Sequence, residues 1–499
     1  MGKSVGASAR SFTSLPGLEA LDGLAVDGEA RDEDVAAYLI GTGGAAPSEL
    51  GLDLAALAEL GFEGKSGQTL VIPRAERAAA VAVGIGDAPA SSIDALRDAA
   101  AAAVRAVKSA ARVRIVSPQP DGEVEDAVRA LVEGAVLARY KYVVLKSDPK
   151  HTPLGSLSIA MGGADAALIE RARAAAVVSA RAAIVARDLA NTPPGYLSAS
   201  DLGTVAEQLG TRFGFEVELF DRAALHELGC GGLLGVNQGS AEEPRMVKLT
   251  YSPGAKSTSH LGFVGKGIMY DSGGISLKPS DPMHLLMKMD MAGAAAVLGA
   301  FTSLKDRGVR SRVTAWLMCT DNMPSGSALK LGDVLTARGG TTIEIKNTDA
   351  EGRLVMCDAL ALATEEGVDA IVDIATLTGA ALMALGPSTA AMFANDDSLA
   401  GAVVEASAAV DEPLWRLPLE RKYRSQLDSD IADIANLGGK YAGATTAALF
   451  LNHFVGETPW AHIDIAGTMA AEKDDAWRSS GATGYGARLL LELAAGYGG

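Results

Sequence analysis

The sequence predicts an α/β protein of two domains, and three observations carry that prediction. Its 499 residues exceed what one hydrophobic core ordinarily serves. Short β-type runs alternate with Ala-rich helical ones along the chain. The alternation restarts after a long helical stretch that a Pro-Pro pair at 193–194 closes. The expected organisation is a smaller N-terminal α/β domain over 1–165, a connecting helix over 166–192, and a larger α/β domain over 193–499 with a mixed, largely buried central sheet.

In the first domain TLVIP (69–73), AAAVAVGIG (78–86), RVRIVSP (112–118) and YVVLKS (142–147) read as strands, and 91–111, 122–139 and 164–191 as helices. In the second, MVKLTYS (246–252), HLGFVG (260–265), VTAWLMC (313–319), TIEIKN (342–347), DAIVDIATL (369–377) and WAHIDIAG (460–467) are strand-like. Ala- and Leu-rich helical segments at 290–305, 352–366, 399–411, 444–455 and 486–496 separate them. The longest uncharged run, 374–395, could span a bilayer on length alone. Its threonines and the Gly386-Pro387 break make it a buried strand, loop and strand instead.

Composition narrows the function classes. A chain that is 48% hydrophobic and 21% charged is an ordinary globular protein. With 61 acidic against 44 basic residues its charge of −17 repels nucleic acid and anionic membrane, and no basic cluster in the sequence offsets it. Cys230, Cys319 and Cys357 are odd in number and far apart, which points to a reducing compartment. MGKSVGASARSF lacks the apolar stretch of a signal peptide, so a cytoplasmic location is expected.

Several general patterns fail on context. GKSVG (2–6) has no strand before it, GTGGAA (41–46) runs into Pro47, and GKS (64–66) lacks the first glycine of a phosphate loop. The six histidines show no paired ligand spacing, so a metal site must be built from other residues.

Two segments offer those residues. In VGKGIMYDSGGISLKPSDPMHLLMKMDMAGAAAV (264–297) a strand delivers Lys266 and Asp271 into a Gly-rich turn, Lys278 follows, and Asp290 opens a helix of small residues. Charges inside runs of Val, Ile and Met are costly to bury without partners. In NTDAEGRLVMCDAL (347–360), Asp349, Glu351 and Arg353 occupy alternate positions. Extended backbone would send all three to one side; a helix capped after Thr348 would place them in a solvated first turn, and both readings stand. Lys266, Asp271, Lys278, Asp290, Asp349, Glu351 and Arg353 together give four carboxylates, two lysines and an arginine at strand ends, where the carboxyl edge of an α/β sheet forms a crevice. Such carboxylates repel one another unless cations, such as two divalent ions, lie between them.

These segments resemble the leucyl aminopeptidase, or cytosol aminopeptidase, family. NTDAEGRL is close to a family signature, and the similarity continues through GGLLGVNQGSAEEPRMV (231–247), DIATLTGA (373–380), ADIANLGGKYAGATTAALFLNHFV (432–455) and WAHIDIAG (460–467). The resemblance implies a metalloprotease that removes N-terminal residues, leucine and similar ones preferred, from peptides with a free amino terminus. It implies two divalent ions, Mn or Zn, on Lys266, Asp271, Asp290, Asp349 and Glu351, with Asp271 and Glu351 bridging. Lys278 and Arg353 fall on the catalytic positions, the first stabilising an oxyanion and the second holding a bicarbonate that relays a proton. Met287, Asn347, Thr376, Leu377, Gly379, Ala466 and Met469 fall on substrate-pocket positions, and a homohexamer is the implied assembly. Met269-Tyr270 and TGYGARLL (483–490) depart from the family pattern.

Two other functions are compatible with parts of the sequence. The carboxylates would suit another dinuclear metallohydrolase, such as a phosphatase, although such sites generally add histidines. Some members of the resembled family also act as DNA-binding architectural proteins, against which the charge speaks.

Overall fold

The computed structural model describes residues 14–498 apart from 28–30, 76, 88–91, 119–122, 255–256 and 258. The GKSVG motif lies outside the described residues. The chain divides into two compact units, Leu15–Ile184 with Ala471–Thr483, and Val185–Ala470 with Gly484 onward. The first division falls within one continuous helix, Ala166–Asn191.

The first unit holds six strands: β1 (Ala25–Asp27), β2 (Val35–Gly41), β3 (Thr69–Ile72), β4 (Ala80–Gly86), β5 (Arg112–Ser117) and β6 (Ser156–Met161). They pair in the order β1-β6-β5-β2-β4-β3, parallel except where β3 meets β4. Helices Ile93–Ala106 and Val124–Arg139 bury alanine, valine and leucine faces in its core. Residues 142–147, expected as a strand, form no strand: Val144 and Leu145 are exposed. β propensity reflects packing on a pleated, half-buried surface, and this run pairs with no strand.

The second unit is built on β7 (Glu216–Phe220), β8 (Arg245–Tyr251), β9 (His260–Asp271), β10 (Arg312–Asn322), β11 (Val334–Thr336), β12 (Thr342–Glu344), β13 (Ala370–Ala375), β14 (Ala390–Ala394), β15 (Leu414–Arg416), β16 (Ile434–Ala435) and β17 (Trp460–Asp464). Eight of them form the central sheet, in the order β15-β14-β17-β13-β9-β10-β8-β7, and β11-β12-β16 form a small second sheet. The central sheet is mixed, with β17, β13, β9 and β10 parallel and β8, β7 and β14 joined by antiparallel pairings. β13, β14 and β17 are buried throughout, which is why they read as continuous apolar runs rather than alternating ones.

The stretch 374–395 is not strand, loop and strand. Helix Gly379–Leu385 lies between β13 and β14, because Thr378 Oγ1 accepts a hydrogen bond from the Ala381 amide and caps it. Parallel strands bring their carboxyl ends to one edge, and here that edge carries Asp271 from β9, Asn322 from β10, Thr376 after β13 and Asp464 from β17.

Candidate active site

Lys266 sits five residues inside the end of β9, and Asp271 is the strand's last residue. The chain then turns through Gly273 and Gly274, both at positive φ. A β-carbon on Gly273 would stand 2.5 Å from Ser276 O, so the turn that returns Lys278 toward Asp271 tolerates no side chain there. Asp290 follows a short 3₁₀ turn, Leu286–Met289, and precedes the buried helix Ala292–Phe301.

Neither sequence reading of 347–351 holds alone. Residues 347–350 form a turn, Glu351 is the N-cap, and the helix runs Gly352–Glu366. Glu351 and Arg353 are buried rather than solvated, because this helix end faces the other carboxylates instead of water.

The charges interlock. The Lys266 amine lies 2.8 Å from Asp290 Oδ2 and 2.8 Å from Glu351 Oε1, and it donates to the Thr376 carbonyl at 2.9 Å. Lys278 Nζ lies 2.8 Å from Asp271 Oδ2 and 2.5 Å from Asp349 Oδ1. Asp271 Oδ1 also accepts from the Gly273 amide and from Asn322 Nδ2. Thr376 Oγ1 donates to Asp290 Oδ1 at 2.7 Å.

Burial pushes the Glu351 carboxyl up to about 8, with Asp271 adding to the rise and Lys266 opposing it. Burial also raises Asp290, to about 6, against the pull of Lys266. Asp349 is raised as well, by burial and then by Asp271. For Lys266 and Lys278 burial pulls the pKa down, but the surrounding carboxylates outweigh it and both amines end above the ordinary lysine range. The cluster is therefore short of positive charge. Asp271, Asp290 and Glu351 each bring a carboxylate oxygen within 4.8 Å of the others, an all-oxygen set suited to a hard or borderline divalent cation. The residues fit a divalent metal.

Arg353 is buried, and its Nε and Nη1 have no hydrogen-bond partner among the described residues. Burial lowers its pKa to about 10, with Glu351 and Asp464 pulling the other way. The guanidinium thus lies at the cavity wall with part of its donor capacity unspent.

Every residue singled out in the sequence lines one cavity of about 430 Å³. The charged residues share it with Met287, Asn347, Thr376, Leu377, Gly379, Ala466 and Met469. Of the histidines, His284 also lines it, with its ring stacked on Tyr270 at 5.9 Å, so the Met269-Tyr270 departure reaches the cavity wall through one intervening ring. The 483–490 departure lies in core packing: Tyr485 donates to Glu412 O and Arg488 pairs with Glu412. All three cysteines are free and buried.

Three polar residues that hold the cavity were not foreseen: Asn322, Asn436 and Asp464. Asp464 Oδ1 accepts from the Leu377, Thr378 and Ala466 amides, and Oδ2 from Thr378 Oγ1, which ties two stretches of the cavity lining together. A lone Asp in an apolar strand is the signal that could have found it.

Residues 184–491 match the family model described as cytosol aminopeptidase family, catalytic domain, and 47–149 match that family's N-terminal domain. A protein of Streptomyces avermitilis named "Probable cytosol aminopeptidase" is 44% identical over 464 residues, covering 88% of each chain. One of the same name from Roseiflexus castenholzii is 42% identical, covering 86% of this chain and 90% of that one. Among solved structures, the bottromycin maturation enzyme BotP in complex with Mn superposes with a TM-score of 0.86 at 39% identity, over 93% of this chain and 100% of that one. A tomato leucine aminopeptidase variant gives 0.85 at 34% identity, over 94% and 96%.

Proposed function

From the premise that the chain belongs to the cytosol aminopeptidase family, and is thus a hydrolase of aminopeptidase type, we propose that it releases leucine and similar residues from peptide amino termini using two divalent metal ions. One observation carries the proposal: Asp271, Asp290 and Glu351 converge within 4.8 Å at the carboxyl edge of a parallel sheet, inside a cavity large enough for an amino-acid side chain.

Asp271 and Glu351 would bridge the ions, Lys266 and Asp290 would complete one shell, and the Asp349 carboxylate and carbonyl the other. When bound, such a pair lowers the pKa of a shared water, polarises the scissile carbonyl and receives the substrate's free α-amine. Lys278, whose amine lies between Asp271 and Asp349, would meet the oxyanion that develops on the carbonyl. Arg353, which lines the cavity, would hold a bicarbonate, and that anion would relay the proton so that the protein need not supply a general base. Met287, Ala466 and Met469, which line the cavity, would give the first side chain an apolar seat, Thr376, Leu377 and Gly379 would wall it, and Asn347 lines the same cavity.

The test is hydrolysis of leucyl amide by chelated and reconstituted protein, with Mn, Zn, Co and Mg in turn. Chelation should abolish turnover, and N-acetylation of the substrate should block it. Normal turnover of the acetylated compound would refute the reading. We also propose a homohexamer in the cytoplasm; an active species of about 51 kDa by light scattering would refute the assembly.

A further inference from the structure

We infer that Asn436 is a positioning residue of the metal centre, fixing the loop that carries Asp349 and leads into Glu351. The inference rests on the reading of those two acids as metal ligands.

Asn436 directly follows β16, and its amide extends the β12–β16 pairing by donating to Glu344 O at 3.0 Å. It is fully buried. Its side-chain oxygen accepts from the Lys346 amide at 2.9 Å and the Asn347 amide at 3.3 Å. Its side-chain nitrogen donates to Asn347 O at 2.7 Å and Ala350 O at 3.3 Å. A carboxamide has two donors and one oxygen with two lone pairs, so the whole capacity of this side chain is spent on the backbone of 346–350.

That backbone needs such a partner. Residues 346–350 belong to no helix or strand, so their buried amides and carbonyls have no ladder to satisfy them. Asn436 takes the place of secondary structure there. The acid it serves is also lightly anchored through its own side chain, with one partner among the described residues where Asp271 and Asp290 have several. Asp271 is held by Asn322 and the Gly273 amide, and Asp290 by Thr376 and Lys266. The Asp349 side chain is 33% exposed and meets Lys278, while its amide donates to Asn347 Oδ1. Its position depends on the backbone that Asn436 grips.

The substitution Asn436→Asp keeps the shape and both acceptor contacts, removes both donors and sets a carboxylate against two carbonyls. Asn436→Ser, which keeps a hydroxyl but cannot span the loop, serves should the first variant fold poorly. Metal-free protein is titrated with Mn²⁺ by calorimetry, and exchange of the 346–351 amides is followed by mass spectrometry. One ion should bind as in the parent and the other about 10- to 100-fold more weakly, as when a ligand's supporting partner is lost. Exchange of 346–351 should quicken while β9 and β13 stay protected. A lowered melting temperature with both Mn²⁺ affinities and the loop exchange unchanged would make Asn436 a plain core residue and overturn the inference. Asp349→Asn, run beside it, tests the ligand reading separately: if that variant binds two Mn²⁺ as tightly as the parent, the ligand assignment fails, whatever Asn436 does.

Discussion

Gly352→Ala is the substitution by which the packing of the centre can be tested without touching a charge. Gly352 is the first residue of helix Gly352–Glu366, and its backbone is not in the left-handed region. On helix propensity alone the change should help, by at most about 1 kcal/mol. The added β-carbon, however, would stand 2.6 Å from Lys266 Cε, 2.8 Å from its Nζ and 3.0 Å from Leu377 Cδ1. Carbon contacts settle near about 3.5–4.0 Å, so the lysine end must move by about 1 Å. Its amine sits at 2.8–2.9 Å from Asp290, Glu351 and the Thr376 carbonyl, and such a shift takes at least one of these beyond hydrogen-bond reach. A charged hydrogen bond is worth about 1.5–3 kcal/mol and overpacking costs about 1–3 kcal/mol. The net expectation is a loss of about 2–4 kcal/mol, together with weaker binding at the ion that Lys266 serves. Thermal unfolding of the metal-free protein and Mn²⁺ titration of the same sample measure both. A variant more stable than its parent, with unchanged Mn²⁺ binding, would show that Lys266 is not locked in place and refute the reasoning.

The remaining predictions concern other charges. His462, buried and paired through Nδ1 with Asp373, feels burial pulling its pKa down, but Asp373 outweighs it and the net shift is upward. Its stabilising contribution is therefore complete below the unfolded value of about 6.5 and fades as pH rises through the higher folded one. His462→Gln should cost about 3 kcal/mol at pH 6, because Asp373 is left buried with Trp460 Nε1 for a partner, and less at pH 9; a penalty independent of pH in urea titrations would contradict this. Arg488→Met takes the guanidinium away from the buried Glu412 carboxylate, which keeps the Gly486 and Leu489 amides, and should cost about 3 kcal/mol while leaving kcat/KM per folded chain unchanged, since neither residue lines the cavity. Lys266→Arg should yield a metal-deficient, inactive protein, because a ligand amine must be neutral and a guanidinium stays charged. Lys278→Arg should retain both ions and turn over more slowly. Metal content per chain beside the turnover rate distinguishes the two, and a fully loaded, normally active Lys266→Arg protein would make Lys266 a salt-bridge partner and no ligand.

The fold was legible where one physical signal ruled. Apolar runs bounded by turns located β4, β8, β9, β10, β13 and β17, since each is buried along most of its length, and strict alternation located β5. Residues 142–147 carry the same local signal and form no strand, because a strand exists only where a neighbour offers its backbone, and that neighbour is set by distant sequence. The short strands β1, β11 and β16 have the converse difficulty. Each has two or three residues, too few for a period, and owes its conformation to its partner.

For the cavity the dividing line is chemical. A carboxylate or ammonium inside an apolar run announces itself, because its burial is costly enough to demand a partner, and Lys266, Asp271 and Asp290 were found that way. An asparagine gives no such warning. Asn436 in ADIANLGG looks like any turn residue, and its burial is cheap only because four backbone groups of 346–350 meet it. Those groups come into reach through the pairing of β12 with β16, a partner about 90 residues further along the chain and, at two residues, too short to read. Charge is not always enough, since Asp464 was missed in its apolar strand, its oxygens spent on the Leu377, Thr378 and Ala466 amides and the Thr378 hydroxyl. A neutral support costs little to bury once satisfied and adds no charge to a centre already crowded with acids, so the physics that makes Asn436 useful beside Asp349 is also what hides it in the sequence.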